Sequence, residues 1–399
     1  MKKINKKKHY YLKCVRCGGR QDEKVSHTLC SKCGGSLDAI YDYSHFKSPH
    51  DFYPVRNFKK IVTLIEGGTP LYRASKLGKL VGLKQVYVKN EGVNPTGVFK
   101  DRGSAIEITK AVELGAKAVM VASSGNMAAS LAAYCAKAGL PCYVVVPEKT
   151  PLGKLAQMLE YGAHVIKIKG EYSTCVQIVE KLARKHGCFL AGDYVYRREG
   201  QKSLAYEVCA QMAFQVPDVV VMPAGAGTNA SAIWKGFKEY KLLGIIKHLP
   251  KMVLVQAKGA APIYESFKKG AKTVTPLKKT STICSAVAVA DPNDGDLALQ
   301  AVYDSGGCVL KATDDQALAA QKTLASLEAI FVEPSSALAV AVLPDLIKKK
   351  IARHADKVLV IATGNGLKDP LVSLKKFPNP PVFKADHKLV SRYLSRADL

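Results

Sequence analysis

Lys100 stands near the end of the run Asn94-Pro95-Thr96-Gly97-Val98-Phe99-Lys100-Asp101-Arg102-Gly103. A primary amine held at a chain junction and partly stripped of water can lose its proton and form a Schiff base with an aldehyde. An isolated lysine in that setting is ordinarily a solvated group just ahead of an N-cap, here Asp101. A second constellation is Cys14-x2-Cys17 and Cys30-x2-Cys33, two pairs separated by twelve residues. This is the spacing of a four-cysteine zinc ribbon, and Gly18-Gly19 and Gly34-Gly35 let the backbone wrap a metal. Four thiolates complete a tetrahedral site, which leaves His9 and His27 as bystanders. Such a ribbon either binds nucleic acid or is a small domain that the metal makes foldable. Its scarcity of aromatic residues favours the second.

Three further clusters could handle anions. Ser123-Ser124-Gly125-Asn126 opens a helical pattern, and such a start serves either as an anion site or as ordinary N-capping. Gly225-Ala226-Gly227-Thr228-Asn229 lies between an apolar run and a helical pattern, where glycines let backbone N–H groups approach a phosphate. Arg197 can hold a phosphate bidentately or be a plain surface arginine. Neither a P-loop lysine nor a dinucleotide Gly-x-Gly-x-x-Gly is present.

The elements that must position these groups alternate. A strand is predicted over 85–91, running into the Pro/Gly turn. A helix then starts near Asp101, with Ala105, Ile108, Ala111, Val112 and Leu114 on its apolar face. Short β-branched runs follow at 118–122, 142–146, 164–169, 218–222, 252–256 and 357–362. Helical patterns at 127–138, 152–161, 176–185 and 232–240 lie between them. Apolar strands separated by helices argue for an α/β fold of mostly parallel sheets covered on both faces. Ligands in such folds sit in the loops beyond the carboxyl ends of the strands, where the clusters fall.

At 399 residues, 48% hydrophobic and 23% charged, the chain has the composition of a globular protein with a sizeable core. No apolar run reaches the 18 or so residues of a membrane span. No apolar segment follows the N-terminal lysines, so no secretory signal is expected and the protein is placed in the cytoplasm. The eleven cysteines then read as thiols or metal ligands. The net charge of +26 raises the possibility of a nucleic-acid partner. However, the excess is dispersed and no basic stripe alternates with aromatics. A basic surface also draws in phosphorylated small molecules.

The 94–103 segment resembles the cofactor-lysine motif of the fold-type II pyridoxal-phosphate enzymes, and among them the threonine synthase family, departing from its signature only at the variable Val98. The resemblance extends from Cys14 to about Pro370 and includes an N-terminal ribbon. It covers Gly67-Gly68-Thr69-Pro70-Leu71, Ser123 to Asn126, Arg197 to Lys202, Gly225 to Asn229, Glu333-Pro334-Ser335-Ser336-Ala337 and Thr363 to Pro370. It implies two open, twisted, mostly parallel sheets flanked by helices, with a small zinc ribbon in front. The division expected is a ribbon and arm over 1–50, a catalytic domain over 51–385 with a smaller lobe about 92–190, and a surface tail over 386–399.

By the same resemblance Lys100 carries pyridoxal 5′-phosphate and shuttles protons. Gly225, Ala226, Gly227, Thr228 and Asn229 hold the cofactor phosphate, Asn126 its 3′-oxygen, and Thr363 meets its pyridine nitrogen. Ser123 and Ser124 grip the substrate carboxylate and Arg197 its phosphate. Cys14, Cys17, Cys30 and Cys33 bind a structural Zn2+. The Glu333 segment receives no chemical role. The implied reaction converts O-phospho-L-homoserine and water into L-threonine and phosphate, in an enzyme for which a homodimer is expected. Met127, Ala191, Gly192 and Asn365 depart from the family pattern. They leave open a cysteate synthase-like or threonine dehydratase-like enzyme, and beyond these a zinc-ribbon nucleic-acid binder on an inactive core.

Overall fold

The computed structural model describes residues 10–22, 28–45, 49–150, 152–170, 172–374 and 377–395; His9 and His27 lie outside them. Among the described residues there are three sheets. The largest runs in the order Cys308–Ala312, Lys251–Ala257, Val219–Pro223, Lys357–Ala362, Gln85–Asn90 and Leu71–Arg73. All its pairings are parallel except that of Leu71–Arg73, an antiparallel edge. The second sheet, wholly parallel, has the order His164–Ile168, Cys142–Pro147, Val119–Ala122 and Phe189–Leu190.

The continuous apolar runs follow from burial on both faces. Successive side chains of a strand point to opposite sides. Val219, Val221, Val253, Val255, Val358 and Val360 therefore enter one core, which the helices Asp314–Glu328 and Pro334–Ala341 cover. Val220, Met222, Met252, Leu254, Leu359 and Ile361 enter another, closed by the helices Thr228–Leu242 and Gly295–Asp304. The smaller sheet repeats the plan. Val119, Val121, Val144 and Val146 face the helices Lys100–Glu113 and Asn126–Ala138, and Met120, Ala122 and Val145 face the helix Tyr172–His186.

The third sheet is antiparallel and pairs Arg20–Gln21 with Tyr10–Cys14 and the latter with Leu37–Tyr41. Its inner residues Tyr10, Leu12, Leu37, Ala39 and Tyr41 pack into the same core as the helix Lys100–Glu113. Polar ties reinforce the junction: the buried Arg198 guanidinium donates to the Leu37 carbonyl, and Lys235 Nζ lies 2.8 Å from Asp38 Oδ1. At the other terminus the expected arm holds a helix, His387–Leu394, that Asp386 caps by accepting from Lys388 N–H and that buries none of its residues. Among the described residues no helix is long and apolar enough to cross a membrane.

Candidate active site

Two neighbouring strands end side by side and hand their loops to the site. Gln85–Asn90 pairs in parallel with Lys357–Ala362, so residues 91–99 and 363–369 leave the same edge of the sheet. The two loops are stitched together. Phe99 N–H donates to the Thr363 carbonyl at 3.0 Å, and Asn365 N–H to the Gly97 carbonyl at 2.9 Å. Gly97 adopts φ +80°, a left-handed conformation that suits glycine and turns the chain into the helix begun by Lys100. Asn365, in one of the departing positions, acts as a staple: its Oδ1 accepts from Leu367 N–H at 2.9 Å.

Lys100 Nζ lies 3.0 Å from Asp193 Oδ1, and each side chain is only 16% exposed. Asp193 was not among the sequence candidates; its one signal was an acidic residue in a loop following a strand. That loop is held rigidly. Gly192 N–H donates to Glu107 Oε1 at 2.9 Å, and Arg197 Nε donates to the Gly192 carbonyl at 3.0 Å. Burial would raise the Asp193 carboxyl, but Lys100 and Arg197 outweigh it and hold the group below its ordinary range.

Arg197 is not the plain surface arginine that one reading of the sequence allowed. It is fully buried, ion-paired with Glu107, and its remaining donors face the Lys100 carbonyl and Ser104 Oγ. Its Nη1 contacts, both 3.4 Å, are long, while Nε and the Glu107 pair hold the 192–193 turn. Ala191 is buried, and a Cβ on Gly192 would lie 2.8 Å from the Tyr194 ring. The tyrosine therefore takes the space that a side chain at 192 would need.

The remaining candidates sit where strands end. Ser123 to Asn126 follows Val119–Ala122 and starts the helix Asn126–Ala138. Asn126 Nδ2 donates to Glu333 Oε2 at 2.9 Å. Thr363 Oγ1 shares a 2.7 Å hydrogen bond with Ser336 Oγ, which also accepts from Gly364 N–H at 2.8 Å. The Glu333–Ser336 segment, given no chemical role from sequence, thus braces both Asn126 and Thr363. Lys368 was also missed: its Nζ reaches the Thr96 carbonyl at 3.1 Å and Gln157 Oε1, and burial lowers its proton affinity.

Gly225 to Asn229 connects Val219–Pro223 to the fifteen-residue helix Thr228–Leu242. Gly227 has φ +86°, and a Cβ there would come within 2.6 Å of the Asp294 carbonyl oxygen, so only glycine fits. The Asn229 amide is buried with both polar atoms lacking a hydrogen-bond partner among the described residues. Unsatisfied buried polar groups are rare, and a helix start with free N–H groups attracts anions. This loop fits a phosphate group. The Thr228 hydroxyl is likewise buried without a hydrogen-bond partner among the described residues.

At the ribbon, the Sγ atoms of Cys14, Cys17, Cys30 and Cys33 all lie within 4.8 Å of one another, with Cys14–Cys33 at 3.5 Å and Cys17–Cys30 at 3.7 Å. Tetrahedral Zn–S bonds of about 2.3 Å would separate sulfurs by about 3.8 Å, so the quartet fits that ion. Backbone N–H groups of Cys17 and Lys32 point at Cys14 and Cys30 sulfurs, as in a metal knuckle.

Comparison with known proteins agrees with this geometry. A model of the family described as "Pyridoxal-phosphate dependent enzyme" matches residues 62–364. The threonine synthase of Methanocaldococcus jannaschii is 44% identical, over 96% of this chain and 98% of that protein. That of Methanosarcina acetivorans is 42% identical, over 94% and 96%. Among solved structures, maize serine racemase superposes with a TM-score of 0.66 at 22% identity, covering 82% of this chain and 92% of its own, a likeness of fold. The chain belongs to the pyridoxal-phosphate-dependent enzymes of fold-type II, on their threonine synthase branch.

Proposed function

We propose that the protein converts O-phospho-L-homoserine and water into L-threonine and phosphate. The observation that carries this reading is the likeness to threonine synthases over nearly the whole chain, with the 94–103 segment intact. Lys100 is the amine that takes the cofactor aldehyde. Backbone N–H groups of 225–229, with the Thr228 hydroxyl and the unpartnered Asn229 amide, hold the cofactor phosphate at the helix start. Thr363 Oγ1, set by Ser336, meets the pyridine nitrogen with a hydroxyl rather than a charge. Asn126, steadied by Glu333, faces the 3′-oxygen, and Ser123 and Ser124 receive the substrate carboxylate. Bound there, the cofactor supplies the electron sink that lets protons leave the substrate carbons. With the cofactor bound, Lys100 Nζ would give and accept those protons.

Four thiolates of the N-terminal sheet hold one structural Zn2+. All eleven cysteines are free of disulfides, in keeping with a reducing, cytoplasmic setting. The test is direct. Purified protein supplied with cofactor should absorb near about 410–430 nm and release phosphate from O-phosphohomoserine, and Lys100→Ala should lose both. A colourless wild type, or one that releases phosphate from O-phosphoserine and leaves O-phosphohomoserine untouched, would refute it.

A further inference from the structure

We propose that Asp193 is the dedicated counter-ion of the Lys100 nitrogen, keeping positive charge on it both as a free amine and within a carbon–nitrogen double bond. This rests on the function proposed above. The geometry is a 3.0 Å contact between two side chains that solvent barely reaches, where a charge pair is weakly screened.

The charges around this contact divide into pairs. Glu107 is matched by Arg197, and Asp294 by Arg198 at 2.8 Å. Asp193 remains, and Lys100 is its salt-bridge partner among the described residues. The charged groups that face Asp193 are Lys100, Arg197, Glu107 and Asp294. Since the two outer acids are already neutralised by arginines, a neutral Lys100 nitrogen would strand a part-buried carboxylate. The main chain leading to the carboxylate is fixed, because Glu107 and Arg197 grip the backbone of Gly192 from both sides.

The chemistry follows. When a substrate ammonium displaces Lys100, one proton stays on the new double-bonded nitrogen and two pass to Nζ. Lys100 then leaves as an ammonium, and total charge is unchanged. Nζ gives up one proton to solvent before it acts as base; facing Asp193, the ammonium formed when it takes a proton from a substrate carbon is retained and is the acid that returns it, whereas without Asp193 that proton is lost to solvent more readily.

The experiment is a spectral titration of the cofactor-loaded wild type, Asp193→Asn and Asp193→Glu, following the band near about 410–430 nm. In Asp193→Asn the pH at which half the band is lost should fall by at least about one unit, a tenfold loss of proton affinity. Asp193→Glu should fall less, since it keeps the charge but misplaces it. In turnover, kcat of the Asn variant should drop about tenfold or more with KM little changed, and recover towards acid pH as solvent supplies the proton. Equal midpoints in wild type and the Asn variant would overturn the proposal. If the Asn variant does not fold, a wild-type midpoint in Asp193→Glu would do the same. A colourless wild type would overturn the function itself, and this role with it.

Discussion

A single methyl group tests how the lysine is held in place. Gly200 lies on the helix Val195–Gln201 where it crosses the helix Lys100–Glu113, and Gly103 lies opposite. A Cβ at Gly200 would sit 2.9 Å from both the Arg102 carbonyl carbon and Gly103 Cα, and closer still to the Arg102 carbonyl oxygen. Comfortable carbon–carbon contact needs about 3.5–4.0 Å, and the closer oxygen demands the larger shift, so Gly200→Ala must part the two helices by roughly 1 Å or more. Neither obstacle is a side chain that can rotate away. Overpacking of this kind costs about 1–3 kcal/mol, and backbone against backbone belongs at the upper end. The moving helix begins with Lys100, and a displacement near 1 Å at reacting groups can lower a rate about a hundredfold. Chemical denaturation read by far-UV circular dichroism should give the stability loss, and phosphate release from O-phosphohomoserine the rate. A variant with wild-type stability and wild-type kcat would refute the close crossing and the positioning argument together.

Other perturbations separate support from contact. Arg197→Met strands the buried Glu107 carboxylate; urea denaturation should show a loss of about 3–5 kcal/mol, whereas a phosphate-binding arginine would raise KM and leave stability nearly intact. Chelation or Cys14→Ser should remove one zinc per chain by elemental analysis and lower the melting temperature of the whole protein, because the cysteine sheet shares its core with the Lys100 helix. Burial would raise Glu207, but Arg102 and Lys89 prevail and bring its carboxyl down to about 2. A carboxyl depressed on folding stabilises the fold above its unfolded value near 4.5 and loses that contribution as pH falls towards 2. The difference is worth about 3 kcal/mol at about 1.4 kcal/mol per unit. Acid unfolding should therefore be less steep between those limits in Glu207→Gln than in wild type.

What could be read from the chain beforehand was what neighbouring residues determine. Val219 to Met222 and Val358 to Ile361 are apolar at every position because both faces of their strands are buried, and such runs announce themselves. Leu71–Arg73 and Phe189–Leu190 are edge strands of three and two residues, too short to carry a period, and they went unseen. The lysine motif and the glycine loop were legible because their backbone demands are local. The ion pair of Arg197 was not legible because its partner Glu107 lies ninety residues earlier and only the helix crossing brings them together. Asp193 and the brace from Glu333 to Asn126 were hidden for the same reason: each is a contact between distant loops.

The N-terminal sheet lends apolar side chains to the interior that also contains Ala105, Ile108 and Ala111 of the lysine helix. A clone started at residue 51 would lack Leu12, Leu37, Ala39 and Tyr41 and lay that interior open to water, while Arg198 lost the carbonyl it serves. Such a shortened product would clump on expression, and added metal could not rescue it. The described part of the leading fifty residues therefore acts as a keystone for the interior behind it.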